Sequence, residues 1–447
     1  MQEENIAKKP TYAHLLKFTL PTILSTLIMN TFGIVDGIFV SRLIDPIALS
    51  AVNIVFPFMS FVMAFGFMMG VGGNALAAKK IGEGRRQESR ENFSLITIVS
   101  LVGAGVIVAA ALYFPDFILS ILGSDDSVRK MAMEYMQPML YFLPAAVLGM
   151  VFQQFLITAG KAHYSAVMSL VGGILSAVLN YVFIYLLGMG IGGAAVATGV
   201  GWILPAAVGL VFFTVNRRGT LYFVLPKLDL RALGRTCVNG ASEMVAMLSV
   251  SVTTILMNNI LMDLDGGGAE AVGASAVMFG GMGIFTALFM GYSSGVAPII
   301  SYNYGKGDTD NLKKVYASSL RLIGILSAAA AVLAFLGAEL LLGVYGIPAG
   351  TPMHDMARSG LMFLAGGFIF MGVNSFGSMF FTALNNGVVS SVIALFNTFV
   401  FVVVMLFTLP VFFGVNGAWA ATPAAEGLGI VMTMVFFRVM RGRYGYG

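Results

Sequence analysis

Long apolar runs follow one another along almost the whole chain, and polar residues gather in short segments between them. A run of about 20 apolar residues can cross a hydrocarbon core of about 30 Å as an α-helix. Twelve such runs are present, and each predicts one membrane-spanning helix. Their approximate bounds are residues 15–41, 50–78, 93–115, 133–157, 163–187, 191–215, 236–262, 271–302, 314–343, 357–383, 388–412 and 417–440.

The composition agrees with this pattern. Of the 447 residues, 58% are apolar and 10% are charged, and the mean hydropathy is +0.89. Soluble domains carry about 25% charged residues, so an all-α integral membrane protein in a lipid bilayer is predicted. The first run is too long for a signal-peptide core and should remain as the first span. Cys237 is the single cysteine, which excludes a disulfide or a thiolate metal site.

The positions of the basic residues predict the orientation of the chain. If the N-terminus is cytoplasmic, all but four of the 25 Lys and Arg residues fall on the cytoplasmic side. The positive-inside rule therefore predicts cytoplasmic N- and C-termini and an even number of spans. The basic clusters adjoin spans, so they do not predict nucleic-acid binding. The four exceptions are Arg42, Arg129, Lys130 and Arg358.

The chain contains an internal repeat. An offset of 223 residues lays residues 51–84 over residues 274–307 without a gap, and it pairs glycines in both segments. An offset of 224 then lays residues 192–198 over 416–422. Six spans separate the repeats, so both halves enter the membrane from the same side, as in transporters built from two bundles. The prediction is two pseudo-symmetric six-helix bundles: an N-terminal lobe at 1–215, a cytoplasmic linker at 216–235 and a C-terminal lobe at 236–447.

Three acids fall inside predicted spans: Asp36, Glu243 and Glu426. Asp36 lies about 9 Å along the helix from Arg42, which assigns it to the outer half of the first span. A carboxyl group in hydrocarbon is costly, so two interpretations remain open for each acid. It either stays protonated and hydrogen-bonded, or it takes up H⁺ or Na⁺ from one side and releases it to the other.

Other polar residues within the spans are candidates to support these acids. Pro21 in the first span is a candidate bending point, because proline lacks a backbone donor. The three histidines are scattered, and no nucleophile, P-loop or metal motif is present, so no enzyme and no cofactor are predicted. The supporting candidates are Ser176, Asn180, Thr198, Asn258, Asn374 and Asn397.

Several motifs together resemble one transporter family. The chain reads "VDGIFVSRL" in span 1, "GVGGNALAAKKIGEG" at the end of span 2, "GMGIGGAAVAT" between spans 5 and 6, and "PIISYNYGKGD" at the end of span 8. These stretches resemble the MATE (multidrug and toxic compound extrusion) transporters over essentially the whole chain. The "SYNYG" and "GASE" stretches are most similar to the DinF/MepA-like branch.

The resemblance implies an antiporter in a bacterial or archaeal cell (inner) membrane, acting as a monomer. It would export amphipathic, often cationic organic compounds in exchange for H⁺ or Na⁺ while two lobes alternate between outward and inward states. Asp36 matches the N-lobe acid, and Glu243 matches the acid of span 7. One departure is the "LNYVFI" stretch, where Asn180 replaces a frequent second carboxylate. Because Asn takes up no proton, Asp36 must act alone, with Glu243, or through Na⁺, the one metal ion considered.

Two other functions are considered. A lipid-linked precursor flippase of the same superfamily would favour a cationic central cavity, whereas every Lys and Arg falls at a span end or in a loop. An intramembrane enzyme such as a prenyltransferase would need clustered acids for Mg²⁺, and the acid pair Asp125 and Asp126 lies in a predicted outside loop. The 36 Phe and 29 Met residues suit a loosely specific apolar cavity.

Overall fold

The computed structural model describes residues 11–43, 46–122, 126–345 and 347–446, and all regular elements in these residues are helices. Within them, the side chains of residues 33–43, 46–50, 53, 126–128 and 269 lie outside the description. The side chains of Asp36 and Asp126, and all of Asp125, are thus outside the described residues.

Six long helices make up the first half of the chain. They are α1 (Tyr12–Leu43), α2 (Pro46–Gly82), α3 (Arg86–Tyr113), α4 (Asp126–Thr158), α5 (Ala162–Asn180) and α6 (Gly190–Val215). The short helix Pro115–Ile121 follows α3, and the π-helical segment Tyr181–Leu186 continues α5.

The second half repeats this order. Its six helices are α7 (Leu230–Asp263), α8 (Ala269–Lys306), α9 (Thr309–Val344), α10 (Pro352–Ala383), α11 (Gly387–Leu395) and α12 (Phe401–Tyr444). The π-helical segment Phe396–Val400 joins α11 to α12.

The last apolar stretch holds two spans. Eleven described helical stretches are long and apolar enough to cross a membrane, and the last of them runs 58 residues to Tyr444. At 1.5 Å per residue it measures about 87 Å, far more than one hydrocarbon core. The backbone leaves the helical region at Gly414, and a Cβ on Gly417 would lie 2.2 Å from the carbonyl oxygen of Leu409. The chain therefore folds back at Gly414, and each predicted span has a helical counterpart.

The segment that precedes α7 packs against the first half. α7 begins at Leu230 rather than at residue 236, because the Asp229 carboxylate accepts a hydrogen bond from the Ala232 amide at 2.9 Å and caps the helix. Before it, the Lys227 ammonium lies 2.9 Å from the Glu91 carboxylate of α3. The preceding linker residues therefore belong to the surface of the first half.

Helices pack both within each half and between the halves, where α2 packs on α7 and α8 and α1 packs on α8. α2 packs on α3 and α4, α4 packs on α6, and α5 packs on α1 and α6. In the second half α10 packs on α8, α9 and α12, while α7 packs on α11. The outer faces expose large apolar side chains such as Leu336, Leu340 and Phe412, as expected for contact with lipid.

The two halves touch where α2 crosses α8. A Cβ on Gly82 would lie 2.1 Å from the Tyr302 carbonyl oxygen, and a Cβ on Gly305 would lie 2.1 Å from the Lys79 carbonyl oxygen. Each residue of the first contact is 223 positions from its counterpart in the second. The contact is therefore reciprocal, as a two-fold axis through the crossing requires. Both pairs lie at the helix ends that precede basic loops.

A second pair of contacts extends this interface toward the middle of the helices. A Cβ on Gly72 of α2 would lie 2.0 Å from the Thr236 carbonyl oxygen of α7. Its repeat counterpart Gly295 of α8 packs against Thr19 of α1, with a Cβ placed 3.1 Å from the Thr19 Cα. We call Gly72, Gly82, Gly295 and Gly305 the interface glycines. They allow backbones of the two halves to approach at one end of the molecule.

We expect Gly305→Val to open this interface, because the valine side chain cannot fit against the Lys79 carbonyl oxygen. The natural Cys237 of α7 reports the change, since its sulfur lies 3.9 Å from the Met69 sulfur of α2 and is partly buried there. In purified protein, the alkylation rate of Cys237 by N-ethylmaleimide should rise several-fold.

Gly324→Val is the matched control, because no atom lies within 4 Å of a Cβ at Gly324 in α9. It should react at the wild-type rate, and Cys237→Ser should give no labelling. Equal alkylation rates for Gly305→Val and wild type would contradict the interface.

Candidate functional site

A cavity of about 410 Å³ lies among α1, α2, α4, α5 and α6 of the first half. This volume is in the range of pockets that hold drug-sized molecules. Its wall is mostly apolar and rich in methionine and aromatic side chains. Prominent members are Phe56, Met59, Met63, Met150, Met168 and Trp202.

Glycines fix the position of one wall of this N-terminal cavity. A Cβ on Gly172 of α5 would lie 2.9 Å from the Gly201 carbonyl oxygen of α6, and a Cβ on Gly201 would lie 3.0 Å from the Gly172 carbonyl oxygen. The backbones of α5 and α6 therefore touch, as small residues permit in membrane helices. Larger side chains at either position would push the two helices apart.

Polar side chains form one side of the cavity. Asn180, Ser176 and Thr198 all line it, and the Asn180 amide donates a hydrogen bond to the Ser176 hydroxyl at 3.5 Å. Ser169 also lines it and lies 2.7 Å, oxygen to oxygen, from Ser25 of α1. Three residues that the sequence singled out separately thus share one cavity.

A local change of helix type follows Asn180. Asn180 is the last residue of α5, and the chain continues as the π-helical segment Tyr181–Leu186. A π-helical turn is wider than an α-helical turn and shifts the side chains that follow, and such turns are frequent at functional sites. Asn180 is fully buried at this transition.

Asp36 lies on α1, which packs against α5, α6 and the π-helical segment after Asn180. Its backbone belongs to a helix that also supplies Met29 and Phe32 to the cavity wall. Its side chain is outside the described residues, so its proposed role remains a prediction.

Pro21 lies inside α1, which runs as one helix from Tyr12 to Leu43. The neighbouring part of α1 is held to the second half, since the Thr26 hydroxyl donates to the Ala287 carbonyl oxygen at 2.8 Å. Pro21 is therefore next to the contact of α1 with α8, and its bending role remains a prediction.

Glu243 is buried in α7, on the side of the helix between α2 and α11. Gly240, one turn earlier, packs on the Met68 backbone of α2. Asn239 binds the turn before α11, since the Gly387 amide donates to its side-chain oxygen at 3.0 Å. Glu243 is 7% exposed, and no hydrogen bond from a described residue reaches its carboxyl group. It is an acid at the contact between the two halves.

Asn258 lies far from Glu243. It is about 22 Å further along α7 at 1.5 Å per residue, and its side-chain oxygen accepts a hydrogen bond from Ser275 of α8 at 3.0 Å. It connects two neighbouring helices and does not approach the acid.

Glu426 belongs to a separate buried group in the second half. The Asn374 amide donates to the Glu426 carboxylate oxygen Oε2 at 2.7 Å and to its carbonyl oxygen at 3.0 Å. The Thr433 hydroxyl donates to the Asn374 side-chain oxygen at 3.1 Å. Asn397, in the π-helical segment before α12, approaches from the other side across Gly429. We call Glu426, Asn374, Thr433 and Asn397 the C-terminal polar cluster.

The sequence did not identify the cavity wall itself. Every predicted span contains methionine or aromatic residues, so the lining positions are not distinguishable by residue type. Gln153 offered one usable signal, since it is an amide in the middle of an apolar run and it lines the cavity.

Comparison with known proteins identifies the family. The family model for MatE matches residues 21–182 and 243–408, which together are well over half of the chain. The chain belongs to the MatE family. The resemblance to MATE transporters drawn from the motifs is thereby confirmed, and the chain is a membrane transporter and not an enzyme.

Relatives agree with the MatE assignment over the full length. The multidrug export protein MepA of Staphylococcus aureus (strain MRSA252) is 23% identical over 444 residues, which covers 98% of this chain and 95% of MepA. A MATE multidrug resistance transporter solved in an outward-facing conformation superposes with a TM-score of 0.93 at 19% identity, covering 100% and 99% of the two chains. A MATE crystal structure in complex with MaL6 gives 0.91 at 20% identity, covering 99% and 98%.

We expect Asn374→Leu to destabilise the protein, because it removes the donor to Glu426 and the acceptor of Thr433 inside the C-terminal polar cluster. A buried polar group left without its partner costs about 1–3 kcal/mol. The midpoint of thermal unfolding in detergent should fall by several degrees.

Asn30→Leu is the control, since Asn30 is exposed on α1 and donates only to the Thr26 carbonyl oxygen of its own helix. It should change stability by no more than about 0.5 kcal/mol. Equal unfolding midpoints for the two variants would argue against a stabilising polar cluster.

Proposed function

We propose that this transporter is a secondary active antiporter that exports amphipathic or cationic organic compounds in exchange for H⁺ or Na⁺. The observation that carries the proposal is the N-terminal cavity. It is apolar along most of its wall, has a polar side at Asn180, and is bordered by the helix that bears Asp36. Substrate and coupling ion would therefore bind in the same half.

The side chains that line the N-terminal cavity favour substrates of varied shape. Methionine side chains adapt to different outlines, and aromatic faces such as that of Trp202 attract organic cations. Two relatives carry names that agree with this substrate class, the multidrug export protein MepA and the multidrug resistance MATE transporter. Binding would depend on shape-tolerant apolar contact, with a few hydrogen bonds from Gln153, Ser169 or Asn180.

The coupling groups would be Asp36 in the first half and Glu243 in the second. Asn180 can hold a cation through its oxygen but cannot take up a proton, so Asp36 remains the titrating group beside the cavity. Glu243 is buried where α7 meets α2, and a buried carboxylate requires a proton or a cation to compensate for lost hydration. Opening of this interface would expose Glu243 to water on the side of the basic loops.

Alternating access would move two lobes, residues 1–215 and 236–447, joined by the linker 216–235. The reciprocal contact of Gly82 and Gly305 supports this pseudo-symmetry. The interface glycines keep the two halves in contact on the side that the basic loops mark as cytoplasmic, which is the arrangement of an outward-open state. Both termini would be cytoplasmic.

The proposal also includes the oligomeric state and the cellular location of the protein. The protein would act as a monomer in a bacterial or archaeal cell membrane, without a cofactor and without nucleic acid. The alternative, a flippase for lipid-linked precursors, would need cationic groups for a pyrophosphate. The N-terminal cavity has no Lys or Arg among its described lining residues, which favours the export of organic compounds.

In everted vesicles, a fluorescent cationic dye should accumulate only when a H⁺ or a Na⁺ gradient is imposed, and each gradient is applied separately to identify the ion. Asp36→Asn should abolish gradient-driven accumulation, because the carboxyl group that exchanges the ion is removed. Expression and detergent stability should be unchanged.

Asp265→Asn is the matched control, since Asp265 lies exposed in the loop between α7 and α8. It should transport at the wild-type rate. Dye accumulation without any gradient would contradict antiport, and undiminished transport by Asp36→Asn would remove Asp36 from the mechanism.

Ala146→Phe should block the substrate site. Ala146 lines the N-terminal cavity, and a phenyl ring there fills space that a ligand would occupy. We expect dye affinity, measured by fluorescence anisotropy on the purified protein, to fall at least about tenfold, equivalent to about 1.4 kcal/mol.

Ala329→Phe is the control, because Ala329 is exposed on α9 in the other half. It should leave dye affinity unchanged. If Ala146→Phe binds the dye as tightly as wild type, the substrate site lies elsewhere.

A further inference from the structure

The C-terminal polar cluster is built as a chain of hydrogen bonds that ends at Glu426. The Thr433 hydroxyl donates to Asn374, and Asn374 donates to the Glu426 oxygen Oε2. All three residues are at least nine-tenths buried. The second carboxyl oxygen receives no hydrogen bond from a described residue, so the chain of donors stops there.

An acceptor without a donor lies on the other side of the cluster. Asn397 is 4% exposed, and its side-chain oxygen receives no hydrogen bond from the described residues. Gly429, one turn after Glu426, lets the side-chain amides of Asn397 and Asn374 come close together. A Cβ on Gly429 would lie 2.4 Å from the Asn397 oxygen and 2.9 Å from the Asn374 nitrogen. A side chain at position 429 would separate the Asn397 and Asn374 amides from Glu426.

The internal repeat relates this cluster to the N-terminal cavity. The offset of 224, which relates residues 192–198 to 416–422, maps three cluster positions (Glu426, Asn374 and Asn397) onto the first half. All three counterparts line the cavity there. They are Trp202, Met150 and Gly173. The same place in the fold is therefore an open apolar cavity in one half and a filled polar site with an acid in the other.

We propose that Glu426 is a proton-binding site of the second half, which takes up and releases H⁺ during the transport cycle. In the protonated form, the carboxylic O–H donates to the Asn397 side-chain oxygen and satisfies it. In the ionised form, the carboxylate keeps the hydrogen bond from Asn374. The proposal rests on the antiport proposed above and assigns H⁺ as an ion that this half carries.

Charged groups of the surrounding helices do not form an ion pair with Glu426 in the described part of the chain. Glu243 is the buried acid of α7, which also packs on α12. The other titratable groups of the contacting helices lie toward helix ends. They are Arg231, Arg235, Cys237 and Asp263 of α7, His354, Asp355 and Arg358 of α10, and Arg438, Arg441, Arg443 and Tyr444 of α12.

Infrared difference spectroscopy of the purified protein tests the proposal without a transport assay. A protonated carboxyl group has a carbonyl stretch that an ionised carboxylate lacks. Wild type should show a component of this band that disappears as the pH rises, and Glu426→Gln should lack that component while any contribution from Asp36 and Glu243 remains. Asn397→Val should keep the band but shift it to higher frequency, because the hydrogen bond from the acid is removed. Glu270→Gln, at an exposed acid of α8, should keep the wild-type band.

Three results would overturn the proposal. The first is a spectrum of Glu426→Gln that equals that of wild type. The second is a band that persists unchanged at every pH at which the protein stays folded, since Glu426 would then be a structural acid. The third is loss of the band on addition of Na⁺ at constant pH, which would indicate a sodium site. A titrating band in a protein that fails to transport dye would refute the antiport and leave the proton site standing.

Discussion

Backbone contact between α2 and α8 is the constraint on which the rest of this structure depends. Gly82 and Gly305 each lie against a carbonyl oxygen of the other helix, and only residues without a side chain permit that approach. The contact joins the two halves on the side of the basic loops. The N-terminal cavity lies in one half and the C-terminal polar cluster lies in the other. Glu243 is buried at the interface between them. A small rearrangement at this crossing would therefore change the environment of both sites.

The two halves share an architecture but differ in the chemistry at equivalent positions. Trp202 and Met150 in the first half give an open apolar wall, whereas Glu426 and Asn374 in the second half form a filled, hydrogen-bonded site. Under the proposals above, the first half would hold the organic compound beside Asp36, and the second half would carry a proton at Glu426. The helix-contact glycines repeat between the halves, but the residues of these two sites do not.

The sequence was sufficient to predict the fold, because a membrane span is recognised by its length and apolar content. Every predicted span has a helical counterpart. The predicted helix boundaries were less accurate where a single side chain determines them. The Asp229 cap, for example, starts α7 at Leu230 and not at residue 236. Ser176 and Asn180 are buried and Thr198 is half-buried, and all three line the N-terminal cavity because α5 contacts α6. Asn258, another of the polar candidates, lies far from Glu243. Residue type indicates burial of a polar group, but tertiary packing determines which groups meet.

The most direct test of the account is a distance measurement across the interface by electron paramagnetic resonance. Spin labels at Gln87 and Asp310, exposed positions 223 residues apart at the starts of α3 and α9, report the separation of the two halves on the side of the basic loops. In a Cys237→Ser background, we expect one short distance in the resting protein. A second, longer distance should gain population when substrate is added or the pH is changed. A single distance that is the same under all these conditions would contradict a transporter whose halves separate at the α2–α8 crossing.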